Sequence, residues 1–395
     1  MMAYADFIRG MGRYPTWIII VIYLSQVRNL SYIEVGLIFL ISSAISFPIN
    51  IIGGTFIDKV GRRGASLMVP LLVTILYFAL FISIFLNQSI ILILIEFIST
   101  GVLSSIQWVV INAIVTDNTE PFERLDAFSA LRILGNLGIG AGLVMAGLIS
   151  AFQSSYFFIV PAFGSLIEFM IFVKYVPESK PIGTEKHTDT HHKLKVYGDK
   201  LLITITVVMA ISMLFANQWE TPTLPLYLTR FLGIQTTFIT VLYAINTAVV
   251  VLFQYRLNVI AERIGYVRSF SIGLLFYSLS FIIFGLTANL VILAFNVVIL
   301  TVGESMTNPF FSVTISRIAP KDRRGEYFGF TTSIFGIIGT FSPFMGTLFL
   351  TFFFNPPIEM WLLFSLATFI MAILALLTRE RIFSREREIA EETSE

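Results

Sequence analysis

The stretch Gly53-Gly54-Thr55-Phe56-Ile57-Asp58-Lys59-Val60-Gly61-Arg62-Arg63-Gly64 packs four charges and four glycines between two long apolar runs. The flanking runs are each long enough, at roughly 20 residues, to cross about 30 Å of hydrocarbon. Such runs recur along the chain, so the charged knot reads as a tight connection between two membrane spans. Its density of charge then needs a reason beyond solubility.

Composition agrees with that reading. Of 395 residues, 56% are hydrophobic and 13% charged, against about 25% charged in soluble domains. The sequence predicts an all-α, polytopic membrane protein. A net charge of +1 gives no field that would gather nucleic acid or acidic partners. The absence of cysteine excludes disulfides, thiol catalysis and thiolate metal sites. The N-terminus lacks a basic region, short apolar core and small-residue cleavage site in succession, so the first span is expected to remain in the mature protein.

Apolar runs, breakers and charges predict twelve spans. The first six cover 4–27, 33–57, 64–86, 89–115, 126–150 and 155–176. The second six cover 201–230, 236–260, 267–287, 289–316, 325–354 and 356–378. Residues 1–176 and 201–378 thus form two six-helix bundles, and 177–200 is a polar linker without an apolar period. Residues 379–395 form a charged tail, expected to extend the last span as a helix. One set of connections carries Lys59, Arg62, Arg63, Arg124, the lysines of 174–200, Arg263, Arg268, Arg317, Lys321, Arg323 and Arg324; the opposite set offers Arg28 and Arg230. The excess of cations places both termini, the linker and the tail on the cytoplasmic side of a plasma membrane.

The two halves repeat. Tyr23-Leu24-Ser25 matches Tyr227-Leu228-Thr229, and Asp58-Lys59-Val60-Gly61 matches Glu262-Arg263-Ile264-Gly265, both at an offset of 204 (227 − 23 and 262 − 58). Pro121, Arg124 and Phe128 match Pro320, Arg324 and Phe328 near an offset of 200, and Gly135, Gly138 and Gly142 parallel Gly336, Gly339 and Pro343. Ordered matches at nearly one spacing predict parallel halves with a solute path between them, near the bilayer midplane.

The opening stretch resembles the signature loop between the second and third helices of the major facilitator superfamily. Gly54, Asp58, Lys59, Gly61, Arg62 and Arg63 fit the pattern, and with twelve spans, repeat and linker the resemblance covers essentially the whole chain. It implies two six-helix bundles moving by alternating access, with this loop as a conformational latch. In the latch Gly54 allows close helix approach and Gly61 a tight turn, while Asp58 engages Arg62 and the start of span 11 near Arg323, Arg324 and Gly325. The simpler reading is a topology signal that holds the loop inside. The sequence Asn136-Leu137-Gly138-Ile139-Gly140-Ala141-Gly142 resembles the glycine-rich fifth helix of drug–proton antiporters, which has Gly-Pro where this chain has Gly142-Leu143. It also reads simply as small residues that let helices pack. Gly303-Glu304 with Pro309 and Arg323-Arg324-Gly325 resembles the tenth-to-eleventh helix region of bacterial multidrug exporters. In span 4, Glu96 stands where antiporters and sugar carriers often have arginine.

Ionisable residues at membrane depth are costly and mark functional sites. Asp6, Arg9 and Arg13 share one face of span 1 by their spacings of three, four and seven. That face is expected towards a central cavity, with Arg13 deepest and Arg132 of span 5 joining it. An alternative for Arg13 is a structural ion pair. The carboxylates at depth are Glu96, Glu168, Glu220 and Glu304; leaving water disfavours a carboxylate's charged form, which suits a proton-coupled carrier. Glu304 leads, followed by Glu220, where Pro222 and Pro225 can break the helix. Glu168 ranks last, because the resemblance puts the sixth helix at the periphery. Trp17, Gln107, Trp108, Asn217 and Trp219 are candidate cavity residues, since an aromatic face beside an acid suits an organic cation. The 39 phenylalanines also allow each aromatic to be lipid-facing filler. His187, His191 and His192 all fall in the linker and read as a solvated spacer rather than a metal site.

The leading expectation is a monomeric transporter that exports a small amphipathic solute in exchange for protons, without cofactor or metal. The alternatives are uptake of an organic anion or nutrient with protons, movement of lipid-like amphiphiles, or a non-transporting sensor or scaffold. An enzyme is the weakest reading, because no nucleophile–base or metal-ligand set appears at membrane depth.

Overall fold

The computed structural model describes residues 2–119, 124–176, 198–320, 323–353 and 358–394. Among them are twelve long helices and no strand. In chain order they are α1 (Met2–Ile22), α2 (Tyr32–Val60), α3 (Arg62–Phe85), α4 (Ile90–Asp117), α5 (Arg124–Ser150), α6 (Ile159–Tyr175), α7 (Lys200–Ala216), α8 (Thr236–Ile264), α9 (Tyr266–Leu286), α10 (Leu290–Ile318), α11 (Arg324–Phe352) and α12 (Ile358–Ser394). Eleven spans meet a membrane-crossing criterion of length and hydropathy; α1 is the twelfth helix, and its Asp6, Arg9 and Arg13 dilute its apolar character. The charged tail continues the last span as one helix, since nothing between Leu377 and Ser394 breaks it.

The repeat is written into the backbone. After α1 the chain widens into a π-helical turn, Tyr23–Val27, and after α7 into another, Tyr227–Phe231. In the first, the N–H of Arg28 donates to the Tyr23 carbonyl (3.1 Å) and that of Leu30 to Leu24 (3.0 Å). In the second, Leu232 donates to Tyr227 (3.2 Å) and Ile234 to Leu228 (2.9 Å). Each turn leads to a left-handed residue, Asn29 (φ +56°) and Gly233 (φ +65°). Gly61 and Gly265, at φ +84° and +89°, set the starts of α3 and α9, a conformation that favours glycine. Ser89 and Asn289 cap α4 and α10 through their side-chain oxygens.

The chain divides into two compact units. One comprises the described residues of 1–187 together with Pro225–Val251; the other comprises those of 188–224 and 252–395. Span 7 is therefore divided. Its α7 part ends in a 3-10 turn at Asn217–Trp219, and after Pro222 a short helical turn, Thr223–Leu226, leads into the π-turn. Gln218 stitches the break: its Nε2 donates to the Leu214 carbonyl (2.7 Å) and the Ser342 carbonyl (3.1 Å), and its Oε1 accepts from the Thr223 hydroxyl (2.9 Å). A broken helix at this depth needs such partners for its freed backbone groups.

In the first unit α1 packs against α5 and α6 through small residues. A Cβ at Gly138 would overlap the Phe7 carbonyl, and one at Gly142 the Met11 carbonyl. On the other side of α1, a Cβ at Gly12 would meet Pro161 (2.7 Å to its Cβ), and one at Gly164 would press on the Ile8 carbonyl oxygen (3.2 Å). The glycine-rich stretch of span 5 is thus the surface that seats α1. Its counterpart differs, since the space around Gly339 of α11 is open to 4 Å. In the second unit, Gly273 and Gly303 let α9 and α10 approach backbone to backbone, each Cβ position lying 2.6–2.7 Å from the other's carbonyl oxygen.

Two outcomes test this packing. Gly138→Val should cost about 1–3 kcal/mol, the ordinary penalty of overpacking, and lower the unfolding temperature of the purified protein, whereas Gly339→Val should leave it nearly unchanged; equal effects would contradict the seating of α1 on α5. Asp199 caps α7 by accepting from the N–H groups of Leu201 (3.0 Å) and Leu202 (3.1 Å), and it accepts from the Tyr327 hydroxyl (2.6 Å). Burial pushes its pKa up, but the Tyr327 hydroxyl, the Leu202 N–H, Arg385 and the Leu201 N–H outweigh burial and hold it below the ordinary aspartate value. A depressed carboxyl stabilises above its unfolded pKa and loses that contribution as pH falls through its native one. Asp199→Asn should therefore lower the melting temperature at neutral pH, with the difference from wild type vanishing on the acid side.

Candidate functional site

Two polar clusters lie at membrane depth, one in each unit. In the first unit Asp6 and Arg9 form a buried ion pair on α1. The Arg9 guanidinium also lies over the indole of Trp108 on α4, 5.5 Å from the ring centroid, and its Nη1 has no hydrogen-bond partner. Gln107, next to Trp108, is buried. Arg13 is exposed to solvent although it sits well inside the helix, and Arg9, Tyr77, Asp6 and Glu168 all lie within electrostatic reach of it.

Glu168 on α6 is 0% exposed, and its carboxylate has no hydrogen bond of full geometry. The Gln107 carboxamide stands beside it, and the charges of Arg9, Asp6 and Arg13 reach it. Glu168, ranked last among the carboxylates because the resemblance puts the sixth helix at the periphery, is thus fully buried within reach of the charges of α1. The cause is local: Gly12 and Gly164 draw α1 and α6 together, and Glu168 follows Gly164 by one helical turn, on the same face. Gly164 was the signal in the sequence, legible only once its partner helix was known.

Other expected members stand apart. Arg132 on α5 is exposed and is not among the groups whose charge reaches Arg13. Glu96 sits near the α3–α4 turn, where the Ser83 hydroxyl donates to its Oε1 (3.0 Å). Trp17 packs edge-on against Phe39 at 5.6 Å. The side chains of Gly54, Asp58, Lys59, Arg62 and Arg324, and all of His187, His191 and His192, lie outside the described residues. Of the loop, Gly61 and Arg63 are described, and Arg323 pairs with Glu326 at 3.0 Å.

In the second unit Glu220 follows the 3-10 turn of span 7, its N–H donating to the Asn217 carbonyl (2.9 Å). The charge that reaches Glu220 is that of Glu304 on α10. Tyr277 of α9 is buried within reach of both carboxylates, with the buried Trp219 indole beside its hydroxyl. Two carboxylates, a phenol and an indole thus share one neighbourhood at a helix break. A like-charge pair out of water is relieved by a proton or by a bound cation. Among the described residues no group of three or more His, Cys, Asp or Glu is placed to hold a metal ion.

A third feature belongs to the first unit, at the end of α1 away from the N-terminus. Arg230 Nε donates to the Ser25 hydroxyl (2.7 Å) and its Nη2 to the Ser25 carbonyl. Tyr32 stacks on Phe231 at 5.7 Å, and the Thr237 hydroxyl donates to the Gly147 carbonyl (3.1 Å). Deeper, Tyr14 meets Tyr243 edge-on at 6.3 Å. These contacts tie Pro225–Val251 to the first six helices.

Comparisons with known proteins agree with this architecture. The Major Facilitator Superfamily model matches residues 2–219 and again 205–394. An uncharacterized MFS-type transporter of Bacillus subtilis (strain 168), YttB, is 25% identical over 340 residues, 83% of this chain and 82% of its own. The fold is similar to the crystal structure of a mutant of the peptide transporter POT (TM-score 0.76, 16% identity, 97% of this chain and 94% of that one). It is also similar to the nucleoside transporter NupG (TM-score 0.75, 13% identity, 95% of this chain and 98% of that one). The chain belongs to the Major Facilitator Superfamily and is a transporter.

If the Arg230–Ser25 tie holds this end shut, Arg230→Ala should open it. A charge-assisted hydrogen bond of about 1.5–3 kcal/mol corresponds to tenfold or more in the closed population. The chain has no cysteine, so Thr240→Cys, at a fully buried position, gives a single reporter. It should react roughly tenfold faster with a membrane-impermeant maleimide in the Arg230→Ala background; an unchanged rate would contradict the tie.

Proposed function

We propose that this Major Facilitator Superfamily member moves a small amphipathic organic solute by alternating access and exports it in exchange for protons. The observation that carries the reading is the Glu220–Glu304 pair at the break of span 7, with Tyr277 and Trp219 beside it. A proton or an organic cation can each relieve that pair, and mutual exclusion of two ligands at one site is what exchange requires. Aromatic faces next to acids suit cationic amphiphiles. The resemblance of spans 5 and 10 to drug–proton antiporters and multidrug exporters supports the outward direction.

In this reading residues 1–176 and 201–378 are the two bundles, linked by 177–200. The excess of Lys and Arg on one set of connections puts the termini and the loop of Asp58 on the cytoplasmic face of the cell membrane. The Arg230–Ser25 and Tyr32–Phe231 contacts form the outer gate. The loop of Gly54, Asp58, Lys59, Gly61, Arg62 and Arg63 is the inner latch, made when the outer gate opens. Arg9, Gln107 and Trp108 of the first bundle and Asn217 of the second are the further solute-contacting candidates. The transporter works as a monomer in the lipid bilayer.

A second reading is uptake of an organic anion together with protons. It is favoured by Arg13, a cation at membrane depth that remains open to solvent.

Proteoliposomes under an imposed proton gradient separate the two, since exchange drives solute against the proton flow and symport drives it along. Glu304→Gln should abolish gradient-driven transport while leaving the melting temperature within a few degrees of wild type. Unimpaired exchange by a folded Glu304→Gln protein would overturn the assignment.

A further inference from the structure

We propose that Glu168 is a proton-carrying group of the first unit, a titrating site separate from the Glu220–Glu304 pair. The inference goes beyond the transport reading, and its test needs no transport.

Glu168 is out of contact with solvent, and its carboxylate has at most a weak contact from the Gln107 carboxamide. An ionised carboxylate in that condition is among the costliest groups a protein can hold. What can compensate it is known from the elements packed around it. From α1 come Arg9, Arg13 and, with opposite sign, Asp6; from α3 comes Tyr77; from α4 comes Gln107. Arg9 is already engaged, paired with Asp6 and laid over Trp108. The remaining cation is Arg13, which is open to solvent. It can serve Glu168 or an anionic group arriving from outside.

Two states of the cluster therefore have the same net charge. In one, an ionised Glu168 is balanced by Arg13. In the other, Glu168 carries a proton on one carboxylate oxygen and Arg13 serves another anion. Moving between them transfers one proton between water and the carboxylate, with no other bond made or broken. The separation of Arg13 from Glu168 is set by how α1 rides on α6 through Gly12–Pro161 and Gly164–Ile8. Any shift of α1 against α6 thus changes which state is favoured. A buried ion pair with one partner removed is strongly destabilised, so the proton must follow the arginine.

The test is pH-difference infrared spectroscopy of the full-length protein in lipid bilayers. The wild type should show a protonated-carboxyl C=O signal that comes and goes with pH. Glu168→Gln should lose that signal, and the double variant Glu220→Gln, Glu304→Gln should retain it. Arg13→Gln keeps the carboxyl and removes the facing cation, so the midpoint of the signal should rise by about one pH unit. Titrating carboxyl signals in Glu168→Gln identical to wild type would overturn the proposal. Should Glu168→Gln fail to fold, the other variants decide it: a signal lost with Glu220 and Glu304, or a midpoint unmoved in Arg13→Gln, overturns it equally.

Discussion

A charge withdrawn from water must be answered by another charge, a hydrogen bond or a proton, and the interior of this transporter is arranged around that demand. The helices are apolar enough that every ionisable side chain within them stands out as an energetic problem. Asp6 answers Arg9, and the Trp108 indole takes the guanidinium's other face. Glu220 has Glu304 as its neighbour, an arrangement that asks for a cation. Glu168 has at most a weak contact from the Gln107 carboxamide and the charges of Arg9 and Arg13 within reach.

Glycine supplies the geometry that brings these charges together. In a membrane, helices gain little from hiding apolar surface from one another, so close van der Waals approach carries much of the packing. α1 lies between α5 and α6 on glycines from both sides. This makes α1 the shared element of the first unit: it carries Asp6, Arg9 and Arg13, and it faces the helix that carries Glu168. In the glycine-rich stretch of span 5, Gly135, Gly138 and Gly142 seat α1, while Gly140 and Gly147 face Thr247 and Thr240 of α8.

The two halves share a backbone plan and differ in what they place on it. Paired π-turns, left-handed residues and helix caps recur at offsets near 200, because each is fixed by a few local hydrogen bonds or one permissive φ. The side chains at depth have diverged. The first unit carries Arg9 and Arg13 together with Asp6, Glu96 and Glu168, while the second carries Glu220 and Glu304 beside Tyr277 and Trp219.

The spans, the repeat, the tight turns at Gly61 and Gly265 and the set of intramembrane charges were all present in the sequence. Each depends on runs of hydropathy or on a single residue's conformational freedom, which are local properties. Which charges meet depended on the tertiary structure. Arg9, Arg13 and Glu168 come together because Gly12 and Gly164 close α1 on α6, while Arg132 and Glu96, of equal promise by position, stand elsewhere. The attachment of Pro225–Val251 to the first unit likewise rests on Arg230 reaching Ser25, residues 205 positions apart. Side-chain meetings across such distances are set by how helices pack, and a one-dimensional pattern of polarity carries no record of that.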